Sequence, residues 1–148
     1  MFEQRWLIYA LLSAAAASLI PILGKIGMKG VDSNLATGIR SIAQMLFVVI
    51  VCTAMGLWSK LPSLNGKAWT MTALAGIAGG ASWLFYFAAL QVGKASQVAP
   101  IDKMSVPFAV VLALLILGER PSTWNWFGVM LIAIGAYFAA LPNPTAGH

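Results

Sequence analysis

The sequence predicts an all-α, polytopic membrane protein with five transmembrane helices. Three observations carry that prediction. The 148 residues are 60% hydrophobic and only 9% charged, with a mean hydropathy of +0.85, whereas a soluble domain carries about 25% charged residues to meet water. The charges that exist cluster between long apolar runs, each close to the ~20 residues that cross a ~30 Å hydrocarbon core. In lipid every backbone N–H and C=O must be bonded internally, so those runs must be helices. A soluble bundle would need polar helix faces, and "FAVVLALLILG" and "MLFVVIVC" have none.

The spans follow in order. The first is about 6–23, "WLIYALLSAAAASLIPIL". Arg5, an apolar run and then "SAAAAS" imitate a secretory signal, but the run continues through Leu19, Ile20, Ile22 and Leu23, so a retained helix is expected. The second is about 35–57, the third about 69–90 and the fourth about 98–117. The fifth is about 124–141, "WNWFGVMLIAIGAYFAAL". The whole chain, 1–148, reads as one transmembrane domain, and "LPNPTAGH" as a short polar stub.

Several function classes lose their support at once. Cys52 is the one cysteine and lies inside a span, which excludes a disulfide framework or a thiolate metal site. His148 is the one histidine, at the terminus, and reads as a disordered end. No nucleophile–base set, phosphate loop or metal-ligand spacing is present, so neither an enzyme nor a cofactor is expected. The net charge of +5 could suggest nucleic acid. Basic residues confined to short loops read instead as topology signals and headgroup contacts with membrane lipid.

Those loops carry almost no orientation bias. One side holds Arg5, Lys60, Lys67 and Arg120; the other holds Lys25, Lys29 and Lys94, joined by Arg40 and Lys103 just inside the spans. Two readings stand: orientation is set by a partner or the first helix, or the chain inserts both ways and pairs as an antiparallel homodimer.

Charges inside spans need a reason, because one costs about 2.5–3.5 kcal/mol at mid-span on the insertion scale. Arg40 in the second span, and Asp102 and Lys103 in the fourth, are expected roughly 8 Å below the surface, in one layer with Lys25. Thr37, Arg40, Ser41 and Gln44 follow the i, i+3, i+4, i+7 spacing of one helical stripe. A polar stripe on a membrane helix is expected to face a cavity. Arg40 would receive an anionic group, the other three would add hydrogen bonds, and Trp83 and Tyr86 would pack apolar or aromatic parts of a small-molecule solute. Lys103 reads either as part of that pocket or as a headgroup contact. Asp102 is a candidate for proton coupling or for an ion pair with Arg40.

Prolines add expected breaks. Pro107 has no N–H for the carbonyl of Lys103, and Pro21 none for Ala17. Both are expected as helix breaks or hinges, with the Lys103 carbonyl freed toward the pocket. Pro100 is expected in a first helical turn, where no N–H is missed. Trp6, Trp69, Trp124 and Trp126 read as interface anchors. Small residues predict close helix contacts: Gly76 and Gly80 within "AGIAGGAS", and Gly128 and Gly135 on the apolar fifth helix, expected at the dimer contact.

The stretch from 86 to 138 resembles the repeat of the EamA-type transporters in the drug/metabolite transporter superfamily. The matching parts are "AALQVGKAS", "VAPI", Pro107, "LGERPS" and "GVMLIAIG", with "PILGKIG" in the first helix more loosely. The resemblance implies the short, single-repeat five-helix form, one inverted-repeat half of a ten-helix-type transporter. It further implies a secondary carrier of small organic metabolites or amphiphiles in a bacterial or archaeal plasma (inner) membrane, completed by a second, antiparallel copy. The rival expectations are a subunit of a heteromeric transporter and a lipid-linked flippase.

Overall fold

The computed structural model describes residues 5–141; His148 and the stub after Leu141 lie outside them. All regular structure among the described residues is helical. Five stretches have the length and apolarity to cross a membrane: Arg5–Gly27, Ser33–Ala54, Gly66–Val92, Ala95–Leu117 and Thr123–Ala140. Each expected span is present, displaced by a few residues. Most large apolar side chains are exposed, Phe47 at 68% and Leu115 at 72% among them, as hydrocarbon solvent allows and water does not.

Helix α1, Arg5–Gly27, runs unbroken through Pro21, which corrects the expected break there. A proline's φ is already helical, so its cost is one missing bond to Ala17 and local crowding. Helix α2, Ser33–Ala54, starts at Asp32, whose carboxylate accepts from the amides of Asn34 and Leu35 at 2.8 and 3.2 Å. That cap satisfies two of the donors a helix start leaves orphaned. It stops three residues before the expected Leu57 because Gly56 takes a φ of +63°, a left-handed conformation that ends helices. A 3-10 turn, Leu57–Ser63, follows, tied back by the Trp58 indole donating to Thr53 Oγ1 at 2.9 Å. Helix α3, Gly66–Val92, outruns its expected 69–90 at both ends, its start held by Asn65 Oδ1 accepting from the Ala68 amide.

The fourth span is two helices, α4 (Ala95–Asp102) and α5 (Ser105–Leu112), closed by a π turn, Ala113–Leu117. The interruption falls at Lys103–Met104, the turn where Pro107 was expected to break the helix, whereas Pro100 is not in the first turn expected for it. α4 begins earlier than expected, so Pro100 falls in its interior and removes the donor for Ser96. Pro107 falls in the first turn of α5, where its missing N–H costs little. The join tightens into i→i+3 bonds, and Val106 N–H donates to the Lys103 carbonyl at 3.0 Å. The expected freed carbonyl is therefore satisfied, by the 3-10-type bonding that commonly connects helices. Gly118, at φ +68°, ends the span, and the Gly118 and Glu119 amides both donate to Ala113.

The chain forms two compact units. One comprises Leu23–Gln91; the other takes the chain up to Ile22 and from Val92 onward. In the first, Met28, Phe87 and Leu90 are buried, Leu90 completely. Gly24 allows this: a Cβ there would lie 3.2 Å from the Phe87 ring. Lys25 donates through Nζ to the Leu90 carbonyl, placing a cation at the negative end of α3, and Gln91 donates to Val31 at 3.3 Å. Replacing Lys25 by methionine is expected to destabilise the protein by about 1–3 kcal/mol by leaving that carbonyl short of a donor. Thermal unfolding in detergent would read this, with Lys25→Arg recovering most of the loss.

In the second unit, helix α6 (Thr123–Ala140) packs along α4 and α5 with Val129 and Ala136 buried. Gln97 on α4 donates to the Ala140 carbonyl at 3.1 Å, capping the far end of α6.

Candidate functional site

The site grows from the expected stripe on α2. Ser41 and Gln44, continued by Met45 and Val48, form one wall of a groove of about 470 Å³; Ala75, Gly76, Gly79, Gly80 and Trp83 of α3 form the other. The glycines work differently from the expected close helix contact. A Cβ on any of the three would meet nothing within 4 Å, so they widen the groove and bare its backbone floor. The same holds at Gly128 and Gly135 on α6, whose open faces α4 and α5 do not fill.

Arg40 does not itself line the groove but lies beside it, against Trp83, which does. The Arg40 guanidinium carbon lies 3.4 Å from the centroid of the Trp83 ring and 5.6 Å from that of Phe87. Trp83 is held by edge-on contacts with Tyr86, at 5.5 Å and 87°, and with Phe87, at 5.9 Å. A guanidinium over an indole face is attracted by the ring quadrupole, by about 0.5–2 kcal/mol depending on desolvation. The contact occupies the guanidinium's flat face and leaves its N–H edge for planar acceptors. Among the described residues no carboxylate pairs with Arg40; the ion pair they contain is elsewhere.

The hydroxyls are less available than the stripe suggests. Thr37 is buried and donates to the Ser33 carbonyl at 2.8 Å; Ser41 donates to Thr37 at 2.8 Å. Back-bonding of this kind satisfies a hydroxyl donor within its own helix. Ser41 still offers oxygen lone pairs to the groove, and Gln44 its amide, while Thr37 does not line it.

Of the expected site residues, Arg40, Ser41, Gln44, Trp83 and Tyr86 come together in the unit of Leu23–Gln91. Asp102 and Lys103 belong to the other unit and pair with each other at 3.1 Å, with the Lys103 side chain 58% exposed. An exposed pair between neighbours is worth little. The Asp102 carboxylate is thus bonded to Lys103, where an Arg40 partner was one expectation. Lys25 is engaged with Leu90. Sequence reasoning missed the glycine floor as a groove lining. Its signal was present, since 76, 79 or 80, and 83 fall on one face of α3. Among the described residues no group of His, Cys, Asp and Glu is placed to hold a metal ion.

The profile described as the EamA-like transporter family matches residues 4–141, running through both units. An "uncharacterized transporter in cobO 3'region" of a Sinorhizobium species is 41% identical over 139 residues, covering 94% of this chain and 99% of that one. Human "solute carrier family 35 member G1" is 30% identical over 126 residues, covering 85% of this chain but 34% of its own length. No solved structure matches the chain significantly.

Proposed function

This chain belongs to the EamA-like transporter family and is a multi-pass integral membrane protein, and from that premise we propose that it is a secondary carrier of small organic solutes bearing an anionic group and an apolar body. The observation that carries the proposal is the groove on α2 and α3. A guanidinium within a span, without a carboxylate partner among the described residues, lies against Trp83 at the groove's edge, and the groove offers an amide, a hydroxyl oxygen and a bare glycine floor. An unpaired cation in a span is costly unless it serves a polar path or ligand. Arg40 receives the anion, Gln44 and Ser41 orient it, and Trp83 with Tyr86 packs the remainder. Asp102 is the acidic group within a span open to proton coupling. The carrier resides in a bacterial or archaeal inner membrane.

We assign the working unit to two oppositely inserted copies, each supplying one groove to a shared chamber, with Gly128 and Gly135 of α6 at the contact. Three facts support pairing. The loop charges are balanced between the two sides. A relative of the same extent is matched nearly end to end, while a longer relative is matched over about a third of its length. The glycine face of α6 is unfilled within the protomer. A reporter fused to the C-terminus and probed in intact cells is expected to be accessible from both sides in comparable amounts. Accessibility from one side alone would reject dual insertion. Two arginines added to the loop joining α2 and α3 are expected to drive the reporter to one side and to stop transport by that variant alone.

A further inference from the structure

The unit containing α4 to α6 has a cavity of its own, of about 620 Å³, beside the "LGERPS" loop. Its inner wall is one stripe of α5 and the π turn: Val106, Ala109, Val110 and Ala113, at i, i+3, i+4 and i+7. These side chains are apolar and mostly small, and they leave a slot roughly 10 Å long parallel to the span. Its mouth is different in kind. Glu119, Arg120 and Asn125 line it, and the first two lie past Leu117, where the fourth span ends. Glu119 and Arg120 are neighbours of opposite charge, both exposed, yet the ion pair among the described residues is Lys103 with Asp102. Both are thus open to an outside partner. The Ser122 hydroxyl donates to Asn125 Oδ1 at 2.6 Å, which holds that side chain by its oxygen and leaves its amino group to donate elsewhere.

An occupant must present an anion and a cation a few ångströms apart at the membrane surface, with an apolar tail running inward. A helix of a second copy offers the tail without the charges. We propose that the slot holds one zwitterionic glycerophospholipid with a primary ammonium headgroup. Its phosphate takes the two-pronged edge of Arg120 and the amino group of Asn125, its ammonium donates to Glu119, and one acyl chain lies along Val106–Ala113. The site is independent of the solute groove and braces α5 against α6 at the π turn.

The test is native mass spectrometry of the full-length protein in detergent, with phosphatidylethanolamine, phosphatidylcholine and phosphatidylglycerol added at equal concentration. Phosphatidylethanolamine is expected to be retained about tenfold more than phosphatidylcholine, whose methylated ammonium has no N–H for Glu119, the factor that one charge-assisted hydrogen bond confers. Glu119→Gln is expected to level those two lipids while phospholipid still binds. Arg120→Gln is expected to lower retention of all three, and Ala109→Phe to fill the slot and expel lipid with an unchanged size-exclusion profile. Equal retention of the three lipids by the native protein would identify ordinary annular solvation and overturn the proposal. So would undiminished preference in Glu119→Gln, an arm that decides the matter even where Ala109→Phe fails to fold.

Discussion

Arg40→Ala is expected to weaken binding of apolar-tailed carboxylates by the purified protein by about ten- to a hundredfold. That is the scale of a hydrogen bond to a charged group, at about 1.5–3 kcal/mol. The same change should leave folding largely intact, because two effects on stability oppose each other. Losing the stack on Trp83 removes about 0.5–2 kcal/mol. Removing a cation from a span relieves a cost of comparable or larger size, about 2.5–3.5 kcal/mol at mid-span. A binding defect without a folding defect is therefore the diagnostic result. Arg40→Lys should fall between, since an ammonium keeps the charge but has neither the planar face that lies 3.4 Å over the indole nor a two-pronged edge. The measurement is solute counterflow in proteoliposomes with a panel of monocarboxylates of increasing tail size, alongside unfolding in detergent. Unchanged affinity in Arg40→Ala would remove Arg40 from the site.

Gly24→Val should have the largest effect on stability of any single glycine replacement. A Cβ at position 24 would stand 3.2 Å from two atoms of the Phe87 ring, and valine adds two methyl groups beyond it. The ring has little freedom to yield, being 3% exposed with Trp83 and Tyr86 against it. Overpacking of this kind typically costs about 1–3 kcal/mol, and valine at this site belongs at or above the top of that range. The damage should also reach the groove, because the displaced Phe87 ring lies 5.6 Å from the Arg40 guanidinium. Gly24→Ala should be milder, as the ring need give only a few tenths of an ångström. Gly79→Ala is the contrasting variant: nothing lies within 4 Å of its new Cβ, so stability should hold while the groove narrows. Size-exclusion profiles after graded heating would rank the three. A Gly24→Val protein as heat-resistant as Gly79→Ala would contradict the packing described for Leu23–Gln91.

The five spans, the all-helical architecture and the polar stripe of α2 were legible from residue order alone. Transfer into hydrocarbon is decided segment by segment, and a helix satisfies its backbone without reference to other helices. Of the two prolines of the fourth span, Pro100 was misplaced, because a proline's effect depends on its distance from a helix start, and α4 begins at Ala95. Only the folded chain could join Lys25 to Leu90, 65 positions away, lay Arg40 over Trp83, turn three glycines into a groove floor and commit Asp102 to Lys103. Helical periodicity states which residues share a face but not which faces meet. In lipid, where one apolar surface is nearly as good as another, that choice falls to shape and to the few polar groups that must find partners.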